Sequence, residues 1–95
     1  MEFPDTCDWQ QQEHYLELYP NPNDGTMTIE YSIPEEETGA FEIYDQTGRV
    51  IFNKGLQGGI NTIIISPEGI RSGLYFYRAN TQQRRLVNER VVVIR

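Results

Sequence analysis

Side chains able to do chemistry are few in this chain of 95 residues. His14 is its sole histidine and Cys7 its sole cysteine, and both precede the first strand-like run. A zinc site takes about four such ligands, and a nucleophile needs a base within reach. Neither set can be assembled from one of each, and a lone cysteine also excludes an internal disulfide. Carboxylates are plentiful, yet Glu35-Glu36-Glu37 follows Pro34 in a turn-like stretch. A solvated loop is the expected role there, rather than the opposed carboxylates of a glycosidase. Asn21-Pro22-Asn23-Asp24-Gly25 gathers oxygen donors, but no bidentate glutamate follows in calcium-loop register. It reads as an Asx-type turn in which Gly25 takes positive φ. No catalytic residue, metal site or cofactor is expected.

What remains is recognition chemistry. Arg78, Arg84, Arg85, Arg90 and Arg95 cluster around the last two strand-like runs. Guanidinium groups there either blunt an exposed sheet edge or grip a partner's carboxylates or phosphates. Tyr75 and Tyr77 share one strand face, and Leu74 and Phe76 share the other. An exposed aromatic pair would suit a sugar-binding platform, although burial is the commoner fate of such rings. Charge is divided along the chain: twelve of the fourteen acids lie in residues 1–45, and all eight bases lie in 49–95. Strands from the two halves are expected to neighbour and compensate each other. The formal net charge of −6 makes nucleic acid a poor partner.

These side chains must be positioned by strands. Tyr15 to Tyr19 alternates and is ended by Pro20 and Pro22, neither of which can donate to a ladder. Met27, Ile29, Tyr31 and Ile33 alternate with Thr28, Glu30 and Ser32, the pattern of a strand with one wet face. Phe41–Tyr44 and Arg49–Asn53 flank Asp45-Gln46-Thr47-Gly48, the composition of a tight hairpin whose glycine sits left-handed and starts a bulge. Gly55, Gly58 and Gly59 read as a flexible connection to Thr62–Ser66, followed by a short turn around Pro67 and Gly69. Leu74–Ala79 and Leu86–Ile94 are the sixth and seventh strands, joined by a loop at Asn80-Thr81-Gln82-Gln83.

Seven short strands with Gly or Pro punctuation predict an all-β fold, a seven-stranded antiparallel immunoglobulin-like β-sandwich. The Cys-Trp-Cys signature of true immunoglobulin domains is missing. No apolar stretch approaches the ~20 residues of a transmembrane helix, and the acidic Met1-Glu2-Phe3-Pro4-Asp5 does not open like a signal peptide. Residues 1–14 read as a linker or leader, and residues 15–95 as the one folded domain. The sequence ends on an apolar, β-branched strand. Termini are normally polar and frayed, so this strand is expected either to close a sheet or to be presented to a partner.

Taken in order, Leu18-Tyr19-Pro20-Asn21-Pro22-Asn23-Asp24-Gly25, then Phe41 to Val50 through Asp45-Gln46-Thr47-Gly48, then Ser72-Gly73-Leu74-Tyr75-Phe76-Tyr77, then the basic-ended last strand, resemble the C-terminal sorting domain of type IX secretion cargo, over residues 16–95. The resemblance implies a non-catalytic address label of Bacteroidota-type bacteria. Such a label folds in the periplasm, is bound by the outer-membrane translocon and its shuttle and sortase proteins, and takes its parent protein to the cell surface. Many such labels are then removed by a sortase-like peptidase, and the cargo is joined to a lipopolysaccharide. Carried onto this chain, the family's hallmark positions are Pro20, Pro22, Gly25, Gly48, Gly73 and Tyr75, with Arg90 and Arg95 near the end. The first five are read as shape residues that set turns.

Translocon recognition is expected from Arg78, Asn88, Arg90, Val92, Ile94 and Arg95, through main-chain pairing at a sheet edge and alternate side chains. On a regular strand Arg90 and Arg95 point to opposite sides, so these two would act on different surfaces. A carbohydrate-binding module using Tyr75, or a structural module that self-associates through the final strand, are the alternatives.

Overall fold

The computed structural model describes residues 14–95. Cys7 and the rest of the sequence-read leader, apart from His14, lie outside the described residues. Seven strands follow one another: β1 (Tyr15–Tyr19), β2 (Met27–Ile33), β3 (Gly39–Tyr44), β4 (Val50–Leu56), β5 (Gly59–Ile65), β6 (Gly73–Thr81) and β7 (Arg85–Val93). They form two antiparallel sheets, one in the order β1-β2-β5 and the other β4-β3-β6-β7. No helix occurs among the described residues.

Alternation decides which side of each strand is buried. Leu16 and Leu18 of β1, Met27, Ile29, Tyr31 and Ile33 of β2, and Ile65 of β5 line the inner face of the three-stranded sheet. Phe41 and Ile43, Leu56, Tyr77 and Ala79, and Val91 and Val93 line the facing side of the other sheet, and all of these belong to one core. Phe41 is fully buried, with Phe52 edge-on at 6.2 Å and Tyr77 tilted at 6.1 Å. The Tyr31 hydroxyl accepts a hydrogen bond from the Gln57 backbone N–H at 3.1 Å, so the core of one sheet also fixes the connection leaving the other.

The β3–β4 hairpin is built as its composition requires. Gly48 has φ +91° and its N–H donates to the Asp45 carbonyl at 3.0 Å, with a register shift after Ile43. Asp45 Oδ1 accepts from the Thr47 N–H, the Thr47 hydroxyl and the Arg49 N–H at 2.9, 2.6 and 3.0 Å. Those bonds, the Thr47 hydroxyl foremost, hold the Asp45 carboxyl below its ordinary range.

Three sequence-based boundaries are corrected. The glycine-rich segment read as a flexible connection is mostly strand: Gly55 pairs with Ala40, Leu56 is buried, and Gly59 already pairs with Ile33. The pull of buried Leu56 outweighs the weak strand preference of glycine. The β6 strand runs on through Asn80 and Thr81, past the loop boundary expected at Asn80, because Ala40 and Gly39 of β3 pair with them. In the turn that follows, the Thr81 hydroxyl accepts from the N–H groups of Gln83 and Arg84.

Candidate functional site: the rim and outer face of β7

Along β6 the side chains of Tyr77 and Ala79 are buried, which turns Leu74, Phe76 and Arg78 outward. Register then assembles a surface. Phe76 stands between Tyr44 of β3 and Arg90 of β7, Arg78 between Glu42 and Asn88, and Leu74 beside Val92. The Tyr44 and Phe76 rings stack at 5.7 Å, and the Arg78 guanidinium lies 4.9 Å from the Tyr44 centroid. Arg78 Nε also donates to Glu42 Oε1 at 2.7 Å, and the Tyr44 hydroxyl donates to Asn88 Oδ1 at 3.3 Å. The result is a half-exposed aromatic platform with a fixed cation across it, bordered by Arg90 and by Val92.

The rim of the same strand is partly covered. The Val92 N–H donates to Asn21 Oδ1 at 3.0 Å, and Asn21 Nδ2 donates to the Arg90 carbonyl at 2.9 Å. The Asn23 N–H donates to the Val92 carbonyl at 3.0 Å, and the Ile94 N–H donates to the Asn23 carbonyl at 2.8 Å. Asn21 thus imitates a strand residue with its side chain, while Asn23 forms a true parallel bridge to Val93. The Asn23 side chain, buried, accepts from the Gly25 N–H and donates to the Pro20 carbonyl. Both bonds preceding Pro20 and Pro22 are cis.

Because Val92 turns both backbone groups away from β6, the two-residue period does the same at Arg90 and Asn88. At Asn88 no described residue bonds either group. The open rim therefore takes in Asn88 and the Arg90 N–H, while the chain from the Arg90 carbonyl to Ile94 is clasped. Of the two expectations for the final strand, closing a sheet or being presented, β7 does close one end of the four-stranded sheet and leaves only this part of its outer rim uncovered. Its polar loop, with asparagines at alternate positions, supplies the missing partners.

Of the six recognition residues expected from sequence, Arg78, Asn88, Arg90 and Val92 come together on this face. Ile94 is 62% exposed just past the strand end. Arg95 lies elsewhere: its Nη1 donates to the Ile70 carbonyl at 2.8 Å, and its N–H donates to Ser72 Oγ at 2.8 Å. A Cβ on Gly25, whose φ is +105°, would stand 3.4 Å from Arg95 Cδ and from Ile70 Cγ2. Glycine there seats the Arg95 stem across the loop. The arginines divide accordingly: Arg84 Nη2 bonds Glu37 Oε2 at 3.0 Å and its Nη1 meets His14 Nδ1 at 3.1 Å, whereas Arg85 and Arg90 have no ion pair among the described residues. Arg84, as hydrogen-bond donor, is the main reason the Glu37 carboxyl sits below its ordinary range.

The aromatic pair singled out as a sugar platform is taken up by the fold. Tyr77 is buried, and desolvation pushes its hydroxyl pKa up. The Tyr75 hydroxyl accepts from the Arg71 N–H and donates to the Arg71 carbonyl at 3.2 and 3.0 Å. Gly73 pairs with Val93 at the start of β6. Sequence reading missed Tyr44, Phe76 and Asn21 as parts of the site. Alternation alone puts Phe76 on the face of Arg78, but only the strand order brings Tyr44 beside them.

The family described as the secretion system C-terminal sorting domain matches residues 17–94, almost the whole span of the seven strands. No curated protein matches the chain.

Proposed function

The chain belongs to the secretion system C-terminal sorting domain family, and on that premise we propose that the outer face of β6 and β7 is what the type IX machinery reads. The coarse role goes with membership: a sorting signal for type IX secretion, implying export across the outer membrane to the cell surface or beyond, in a family that is not catalytic. The finer reading is ours. Arg78, Asn88, Arg90 and Val92, flanked by Tyr44 and Phe76, form the contact surface for the translocon and its shuttle and sortase proteins. Ile94 extends this surface, and Arg95 acts by bracing the loop that holds the β7 rim. Removal by a sortase-like peptidase, with the cut in the leader, completes the proposed route. So does a division into a linker of residues 1–14 and a sorting domain of residues 15–95.

The observation that carries this reading is the convergence of four recognition candidates on one face, beside an open backbone position at Asn88. Arg90, without an ion pair among the described residues, suits carboxylates on a partner, and open backbone suits strand addition. The strand order, three strands facing four, supports an immunoglobulin-like sandwich.

The test is export of a periplasmic reporter fused to the full chain, in a host with the machinery. Arg90→Glu should reduce surface reporter several-fold while thermal melting of the domain stays unchanged. Normal export of that variant would remove the outer face from the account.

A further inference from the structure

Four strands end a sheet: β1 and β5 in one, β4 and β7 in the other. Exposed edges invite pairing, and proteins guard them with charge, proline, bulges or a covering segment. Strand β1 carries Glu17, β4 carries Lys54, and β7 carries Arg85, Glu89 and Arg90 and is clasped by Asn21 and Asn23. Strand β5 reads Gly59-Ile60-Asn61-Thr62-Ile63-Ile64-Ile65, without a charge or a proline. It pairs with β2 through seven residues with no register shift, so its outer edge runs straight. Ile60 and Ile64 stand on its solvent face, 75% and 71% exposed, the most exposed large hydrophobic side chains among the described residues.

We propose that β5 is a self-association edge that pairs antiparallel with β5 of a second copy, about a two-fold axis at Thr62. The sheets β1-β2-β5 of the two copies then become one continuous sheet of six strands. In that register Ile60 faces the second copy's Ile64 and Thr62 faces its own counterpart, so each copy covers the other's two bare isoleucines. The choice of a second copy rests on charge. A two-fold contact sets a strand against itself, and like charges opposed across strands are destabilising. Pairing β1, β4 or β7 with itself brings Glu17, Lys54 or Arg90 near its own double, and β5 alone brings none. On the neighbouring outer face Glu17 opposes Glu30, and Glu30 in turn pairs with Thr62; a contact centred on neutral β5 leaves three strand spacings, ~14 Å, between the Glu30 residues of the two copies, beyond the reach of unscreened repulsion. A single strand pair is small beside the ~1,200 Å² of a stable interface, so the association is concentration-dependent. It stands independently of which face the export machinery reads.

Two measurements on the full chain test it. In sedimentation, the wild-type mass should rise towards two chains with concentration, and Thr62→Lys should hold it at one chain with an unchanged melting curve. In a Cys7→Ser background, Thr62→Cys should form an intermolecular disulfide under mild oxidation several-fold faster than Thr28→Cys, which lies on the same face one strand inward. A wild-type chain that stays single at high concentration would overturn the proposal. So would self-association that survives Thr62→Lys, or equal cross-linking of the two cysteine variants.

Discussion

At the rim of the four-stranded sheet, Asn21 and Asn23 meet the backbone of β7 at Arg90 and Val92 and of Ile94 just past it; at the rim of the three-stranded sheet, no described strand pairs with the outer edge of β5. Both strands hold outermost positions and both are rich in β-branched residues. They differ in what the chain invests in them. Covering β7 takes a proline-bracketed loop whose asparagines point at a strand far away in sequence, and charges fill the remainder. Among the described residues nothing comparable is spent on β5. A partly covered rim with one opening suits a specific partner, whereas a straight, uncharged rim suits its own copy. On the proposed readings, the contrast gives β7 the selective contact and β5 the pairing with a second chain.

The contrast can be broken most severely by removing residues 86–95. Val91 and Val93 are fully buried and β6 would lose one of its two neighbours, so a cooperative thermal transition should vanish. Retention of a sharp transition would make β7 peripheral, and it follows that an export defect in this truncation reports folding before recognition. Asn23→Ala comes next. It orphans the Gly25 N–H and the Pro20 carbonyl beside a buried position, which should cost about 2 kcal/mol in urea denaturation. Asn21→Ala removes two exposed bonds and should cost about 1 kcal/mol. Its clearer signature is faster amide exchange at Val92, with Val91 and Val93 still protected by β6.

A pH series probes the β3–β4 hairpin, away from both rims. The Asp45 carboxyl is depressed in the folded state, chiefly by the Thr47 hydroxyl. Its stabilisation is therefore present above the ordinary aspartate value near ~4 and is lost as pH falls through the lower folded value. Asp45→Asn should flatten the fall of melting temperature in that acid window, and an unchanged slope would assign the acid sensitivity elsewhere. The smallest effect belongs to β5: at dilutions where the chain is single, Thr62→Lys should change stability by less than about 0.5 kcal/mol.

Strand existence was plain in the residues because apolar positions alternate so regularly from Met27 to Ile33 and across Phe41 to Tyr44. The Asx turn at Asn23 and Asp24 and the bulged hairpin at Gly48 were equally legible, since both follow from chemistry within five residues. Strand order was not, because period and turn type say nothing about which strands meet. The surface that depends on it stayed hidden for the same reason: Tyr44 and Phe76 touch only because β3 lies beside β6. The glycines at 55 and 59 misled because pairing with Ala40 and Ile33 overrides their local preference. Asn21 and Asn23 read from sequence as parts of a turn, which they are. Their second role depends on a strand nearly seventy residues downstream, beyond the reach of any local pattern.

The bridge between Asn23 and Val93 runs parallel, and this has a mechanical consequence. Tension applied between the segment before β1 and the end of β7 would shear the clasp, so its hydrogen bonds bear load together instead of opening one at a time. In single-molecule stretching the wild-type domain should rupture at higher force than Asn21→Ala, and equal forces would mean that the seam bears no load.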